Sequence, residues 1–339
     1  MRSLTGSGGP TATIVMYHVV RPASGLAATL KGLDVEAFRG QLEYIRAHYT
    51  PVNLFDLADA AEGLRSLAPR PVVLTFDDGY AVHREIVFPM LCETRTPAAF
   101  FPAASSMIDG RVLDINKIQL ILAVSRDIEP VITAIDRAVD REAETGGVSR
   151  AEYRRQWWIP SRWDAPAVAY VKRMLQHALP ERVRRPLIDD LFRGLVSADE
   201  RAVAAELYMS VDAVREMYQA GMSIGAHADR HLRLPTLSRH EQETEIDGAL
   251  RVLDAVGLPR HRFAFCYANG DYDNDSLDLL RSRQCRLACT TQPDLARITR
   301  NELLTLPRID TNDLPVRSDA EPNEWTRRAA LNDRLSNDP

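Results

Sequence analysis

The sequence predicts an α/β fold, a parallel (β/α)7-type barrel interrupted by a large helical insertion, and three observations carry that prediction. Seven short runs of β-branched and apolar residues are separated, for the most part, by segments whose apolar residues recur at helical spacing. Two of the runs end in side chains suited to chemistry rather than packing, Asp77 with Asp78 and then His227. Between about residues 111 and 218 the strand signals stop and long helical periodicities replace them.

Taken in order, residues 1–11 form a Gly/Ser-rich segment expected to be flexible, and Thr13-Ile-Val-Met-Tyr-His-Val-Val20 reads as a first strand with Tyr17 and His18 near its C-terminal end. Phe38, Leu42 and Ile45 mark a helix over 36–48, and Thr50 to Leu54 reads as a short strand. Pro71-Val-Val-Leu-Thr-Phe-Asp-Asp-Gly-Tyr80 follows as a strand covered on both faces that ends abruptly in two carboxylates and a turn glycine. A helix to about Arg95 leads into the strand Pro97–Pro102. In the insertion, Ile115–Ala123 and Val168–Leu175 are the clearest helices, and Trp157, Trp158 and Trp163 sit in an Arg-rich setting where packing competes with a role in a substrate groove.

The alternation resumes with the strand Met222–His227. Ser238-Arg-His-Glu241 is a capping box opening a helix that Gly257 stops. Phe263–Tyr267, Arg286–Thr291 and Leu303–Leu306 supply three more strands, and residues 318–339 read as a polar, loose tail. A main body over 12–317 is therefore expected, with strand C-terminal ends gathered on one functional face.

Composition narrows the partners. With 45% hydrophobic residues and a formal net charge of -5 over 339 residues, nucleic acid and anionic membrane are disfavoured as main partners. Cys92, Cys266, Cys285 and Cys289 lack C-x-x-C spacing, which favours reduced, mostly buried thiols. The N-terminus shows no long apolar run suited to a signal peptide or a membrane span, so a cytoplasmic location is expected.

The chemistry concentrates in two places. Adjacent carboxylates leaving a strand project in different directions, so one can bind a cation while the other faces what the cation holds; an Asp-Asp-Gly turn that merely caps the next helix is the competing reading. His227-Ala-Asp-Arg-His231 sets two imidazoles four residues apart, able to reach one ion if the segment turns helically. With Asp78 they form a two-His, one-carboxylate set, the pattern of a catalytic zinc site or of another borderline divalent metal. Asp271-Tyr-Asp-Asn-Asp275 imitates half a calcium loop, but Ser276 and Ser282 stand where the glycine and glutamate belong, so it reads as a turn into a helix.

Thr75-Phe-Asp-Asp-Gly79 followed by His227-x-x-x-His231 resembles the first two motifs of the polysaccharide deacetylases, the NodB-homology or carbohydrate esterase family 4 enzymes. The resemblance covers roughly residues 12–110 and 215–310. It implies a distorted (β/α)7 barrel, Asp77 as catalytic base, and Asp78, His227 and His231 as ligands of a divalent metal, zinc first, with nickel, cobalt or manganese as alternatives. The implied activity is removal of an N-acyl group, acetyl foremost, from an amino sugar in a glycan or glycan precursor. A deformylase or amidase acting on a non-sugar amide, and a non-catalytic carbohydrate-binding relative, are the alternatives.

Tyr267-Ala-Asn-Gly270 is similar to the family's third motif, with Ala268 where proline is usual, which makes the Asn269 N–H the implied oxyanion donor; Tyr80 is expected beside it at the substrate. Ala228 replaces the Ser or Thr that usually follows the first metal histidine. Leu304-Thr-Leu-Pro-Arg308 matches the last motif's strand but lacks its histidine, and Tyr17-His18 resembles a permuted arrangement, so His18 is the expected acid. Arg308 is expected to orient Asp77 or to contact substrate.

Overall fold

The computed structural model describes residues 10–161, 164–261 and 263–337. The chain divides into two compact units, one of Met1–Ala27, Gly32–Gly110 and Ala205–Pro339, the other of Ala28–Lys31 and Arg111–Ala204.

The first unit is a parallel barrel. Strand β1 (Thr11–Tyr17) pairs in parallel with β3 (Pro71–Asp78), which is flanked at its start by β2 (Thr50–Pro51) and along its end by β4 (Ala98–Pro102); β4 in turn pairs with β5 (Ser223–Ile224). A bridge from Ala226 to Phe265 leads to the parallel pair β6 (Ala264–Cys266) and β7 (Leu287–Cys289), and a bridge from Cys289 to Leu306 leads to β9 (Ile309–Asp310), which returns in parallel to β1. The antiparallel β8 (Ala296–Arg297) borders the start of β1. The ring thus closes through single bridges as well as ladders, which is the distortion of this (β/α)7-type barrel.

The period-two alternation of the strands separates two cores. Ile14, Val73, Ala99, Phe101, Ala264, Cys266, Leu287, Cys289 and Leu306 fill the barrel, whereas Val15, Tyr17, Leu74, Phe76 and Phe100 face the surrounding helices. The same alternation continues to the strand ends, so the polar residues after the apolar runs arrive together at one mouth.

Two expected elements differ. Leu303–Leu306 is not a strand: Leu303–Thr305 forms a 3₁₀ turn, Leu306 makes only the bridge to Cys289, and the ladder with β1 comes three residues later at Ile309–Asp310. Pro307 lies between them and has no N–H to extend a ladder. The segment read as a loose polar tail contains the helix Glu324–Asn337, whose Thr326 is buried and accepts a hydrogen bond from the Tyr49 hydroxyl at 2.9 Å.

The second unit is helical and ends at Ala204 rather than near 218. Its principal helices are Asp114–Val124, Glu129–Ala143, Pro166–Arg173 and Glu181–Leu195. Buried Lys117 bonds Asp189 at 2.5 Å and Glu200 at 2.9 Å, pairing that allows an ammonium inside the unit. Trp158 packs on Tyr170 with ring centroids 4.9 Å apart, beneath the Arg154 guanidinium, as the packing reading requires. Trp163 and the first nine residues lie outside the described residues. Among the described residues, no helix is long and apolar enough to cross a membrane.

Candidate active site

The two acids at the end of β3 receive different environments from one backbone event. Asp77 follows the strand's inward alternation, but Asp78 adopts φ +69° and Gly79 φ +79°. A side chain at Gly79 would meet the Pro102 Cβ at 2.6 Å, so only glycine fits this turn against the end of β4. The left-handed pair swings the Asp78 carboxylate toward the loop after β5.

There it meets both histidines. Asp78 Oδ1 lies 3.3 Å from His227 Nε2 and 3.5 Å from His231 Nε2, and one ligand atom from each of the three residues lies within 4.8 Å of the others. His227 Nδ1 donates to the Cys266 carbonyl at 2.8 Å, which fixes the tautomer and leaves the Nε2 lone pair facing Asp78. Asp78 Oδ1 and His227 Nε2 are both buried without a hydrogen-bond partner. Two buried acceptors aimed at one another repel unless a cation or proton lies between them. Metal–ligand bonds of about 2.0–2.1 Å in a tetrahedron put donor atoms about 3.3 Å apart, so the Asp78–His227 and Asp78–His231 separations fit a divalent metal.

The loop does not reach this arrangement helically. Residues 227–231 form no helical turn, and His231 has φ +61°, so the four-residue spacing works through an irregular loop. Ala228, where a hydroxyl is usual, contributes its carbonyl to the Ala104 N–H at 2.9 Å instead.

Asp77 is held by Arg308. The guanidinium crosses the barrel interior fully buried, with Nη1 and Nη2 on the two Asp77 oxygens at 2.9 and 2.7 Å, and with its remaining bonds to Thr75 Oγ1 and the Thr290 carbonyl. Burial alone would push the Asp77 carboxyl up, but the Arg308 charge and hydrogen bonds outweigh it and hold the value down at about 2. The two roles left open for Arg308 are thereby separated: at 0% exposure it orients Asp77 and cannot touch substrate.

His18 lies at the same mouth, its Nε2 3.9 Å from Asp77 Oδ2 and its side chain 43% exposed, so it faces both the carboxylate and solvent. Its backbone carbonyl accepts from His83 Nε2 at 2.7 Å. His83 sits in a π-helical turn, His83–Val87, just before Pro89, which supplies no N–H to the Glu85 carbonyl. That turn packs the imidazole against Phe76, Tyr80 and Phe100. Tyr80 departs from its expected place at the substrate. It is buried, donates its hydroxyl to Asp78 Oδ2 at 2.9 Å and stacks on Tyr208, so it orients the Asp78 carboxylate.

Asn269 follows β6 in the 3₁₀ turn Ala268–Gly270 with φ +58°, its carbonyl accepting from Thr291 Oγ1 at 3.2 Å. The adjoining Asp273 caps the helix Asn274–Ser282 with a capping box, which confirms that the acidic run is a turn into a helix. His83 and the Cys266 carbonyl are the site features that sequence reasoning missed. A backbone carbonyl has no residue-type signature, and a histidine four residues past Gly79 on an expected helix reads as packing.

Comparison with known proteins finds similarity to deacetylases. Residues 197–288 match the family model described as polysaccharide deacetylase. The poly-beta-1,6-N-acetyl-D-glucosamine N-deacetylase of Escherichia coli (strain K12) is 39% identical over 70 residues, 20% of this chain and 10% of that protein's length. Among solved structures, the Streptococcus pyogenes deacetylase PplD in complex with acetate is similar at TM-score 0.55 and 17% identity, covering 98% of this chain and 100% of that one. IcaB from Ammonifex degensii is similar at TM-score 0.52 and 16% identity, covering 96% and 98%. At these identities the structural likeness is one of fold. Over residues 197–288 the chain is thus similar to the polysaccharide deacetylases, and its fold is similar to that of solved deacetylases.

Proposed function

We propose that the protein is a metal-dependent hydrolase that removes an N-acetyl group from an amino sugar of a glycan. The observation that carries this reading is the convergence of Asp78, His227 and His231, with two of their donor atoms buried and unpartnered, beside an Asp77 carboxylate locked by Arg308. Asp78, His227 and His231 would hold the cation. When bound, a divalent cation supplies Lewis acidity, polarising an amide carbonyl and acidifying water enough for so weakly basic a carboxylate as Asp77 to accept its proton.

The chain's own residues divide the remaining work. Asp77, kept ionised and immobile by Arg308, takes a proton from the attacking water as the new C–O bond forms. The Asn269 N–H stabilises the negative charge that develops on the carbonyl oxygen. His18, exposed at the mouth, gives a proton to the nitrogen as the C–N bond breaks, so that a neutral amine and acetic acid leave and the acid ionises in water. The acetyl group and the sugar polymer follow the relatives' printed activity and the resemblance of the motifs.

The test is metal analysis of the purified protein together with amine release from N-acetylated sugars and oligosaccharides, for the wild type and Asp77→Asn. One equivalent of metal, with amine release that Asp77→Asn abolishes, is expected. Metal binding without amine release from any N-acyl substrate would overturn the hydrolase reading in favour of a carbohydrate-binding role.

A further inference from the structure

His231, like Asp78, is a donor that the backbone holds in the left-handed region. It has a Cβ and no β-strand or helix around it, yet it sits at φ +61°, a region that residues with a Cβ enter only against steric resistance. Something must hold the loop there. Two contacts fix its first half: the Ala104 and Ser105 N–H groups donate to the Ala228 and Asp229 carbonyls at 2.9 and 3.1 Å. The Asp229 carboxylate, bonded to Arg251 at 2.5 Å, packs so closely on the helix Arg239–Ala249 that a Cβ at Gly248 would meet the Asp229 Cβ at 2.7 Å. Neither contact reaches His231.

The second half is held by one carboxylate. Glu245, on the same helix and 2% exposed, accepts the Arg230 N–H at 2.8 Å and the Leu232 N–H at 3.3 Å, both through Oε1. The two donors are the neighbours of His231 on either side, so a single oxygen gathers the N–H groups flanking the left-handed residue. The Arg230 guanidinium lies 3.5 Å from Oε2 and offsets part of the buried charge. A buried carboxylate is costly, and an apolar residue would serve as well if the position only needed filling. The hydrogen-bonding geometry gives Glu245 a different task.

We infer that Glu245 is a positioning residue of the metal centre: its carboxylate clamps the backbone on both sides of His231 and so sets the imidazole against Asp78. The inference rests on the metal-site reading proposed above. It gives the His227-x-x-x-His231 spacing a requirement that lies outside the motif, an acceptor on the following helix at a place where apolar residues would otherwise suffice. Supporting groups of this kind typically change metal affinity about 10–100-fold when removed.

The experiment measures the Zn²⁺ dissociation constant of the full chain by chelator competition, alongside amide hydrogen exchange of the metal-free protein, for wild type, Glu245→Ala and Glu245→Gln. Glu245→Ala should weaken binding about 10–100-fold and speed exchange at 229–233 while leaving β3 protected. Glu245→Gln keeps one acceptor oxygen able to take both N–H groups, so it should bind within a few-fold of wild type. Equal affinity of wild type and Glu245→Ala overturns the assignment and leaves the metal site intact. A wild type that binds no Zn²⁺ overturns the site reading and this inference together. Should Glu245→Ala fail to fold, Glu245→Gln and Glu245→Asp decide the matter: the clamp predicts tighter binding by the glutamine variant, whose oxygen reaches as far, and the reverse order overturns it.

Discussion

Arg308 grips Asp77 with two parallel hydrogen bonds of 2.9 and 2.7 Å from inside the barrel, and both side chains are buried. Removing one partner would strand the other's charge. Arg308→Met is expected to destabilise the protein by about 3–5 kcal/mol, read by urea denaturation. Arg308→Lys should recover little of it, because an ammonium cannot reproduce the forked contact or the bonds to Thr75 and the Thr290 carbonyl.

Asp77 and His18 face one another across 3.9 Å but serve opposite proton transfers in the proposed reaction. Asp77→Asn and His18→Ala should each lower kcat by about 10²–10⁴-fold. Neither residue belongs to the donor set, so metal content, measured on the same preparations, should stay at the wild-type stoichiometry. Loss of metal from His18→Ala would make that residue a ligand or a support.

Tyr80 donates to the Asp78 oxygen that faces away from the histidines. Tyr80→Phe removes that bond without changing the ring's stack on Tyr208. Metal affinity should fall about 10–100-fold, whereas thermal stability of the metal-free protein should change by only about 1 kcal/mol. Parallel metal titration and melting of the two proteins separate these effects.

His83 contributes a pH dependence. Burial holds its folded-state pKa down at about 4, against 6.5 for an ordinary histidine. Between those values the unfolded chain binds the extra proton, so stability rises with pH across the window and is lost as pH falls from 6.5 toward 4. The contribution amounts to about 3 kcal/mol. In metal-free protein, the slope of unfolding free energy against pH from 4 to about 6.5 should be smaller for His83→Asn than for wild type by the share of one proton.

Much of the site was legible because strand ends carry strong local signals. The apolar run before Asp77 and Asp78, and the one before His227, announced both a buried strand and a break in its pattern. The cap at Ser238 and the stop at Gly257 were legible for the same reason, since each is settled by a few neighbouring residues. The 3₁₀ turn at Leu303–Thr305 was not, because a short apolar run has the same composition whether it pairs in a ladder or merely packs.

The sequence alone determined the candidate residues: two adjacent acids, two histidines four apart, and an alternation that sends strand ends to a common mouth. Only the tertiary structure decided what each contacts. It turned Asp78 out of the pleat at φ +69°, and it made Arg308 a buried clamp rather than a substrate contact. It also set Tyr80 on Asp78 and Glu245 under His231. These are contacts between residues 2 to 231 positions apart in the chain. Local composition encodes propensity, burial and turns, but the choice of partner for a polar side chain is made by whichever group the fold leaves within hydrogen-bond reach once water is excluded.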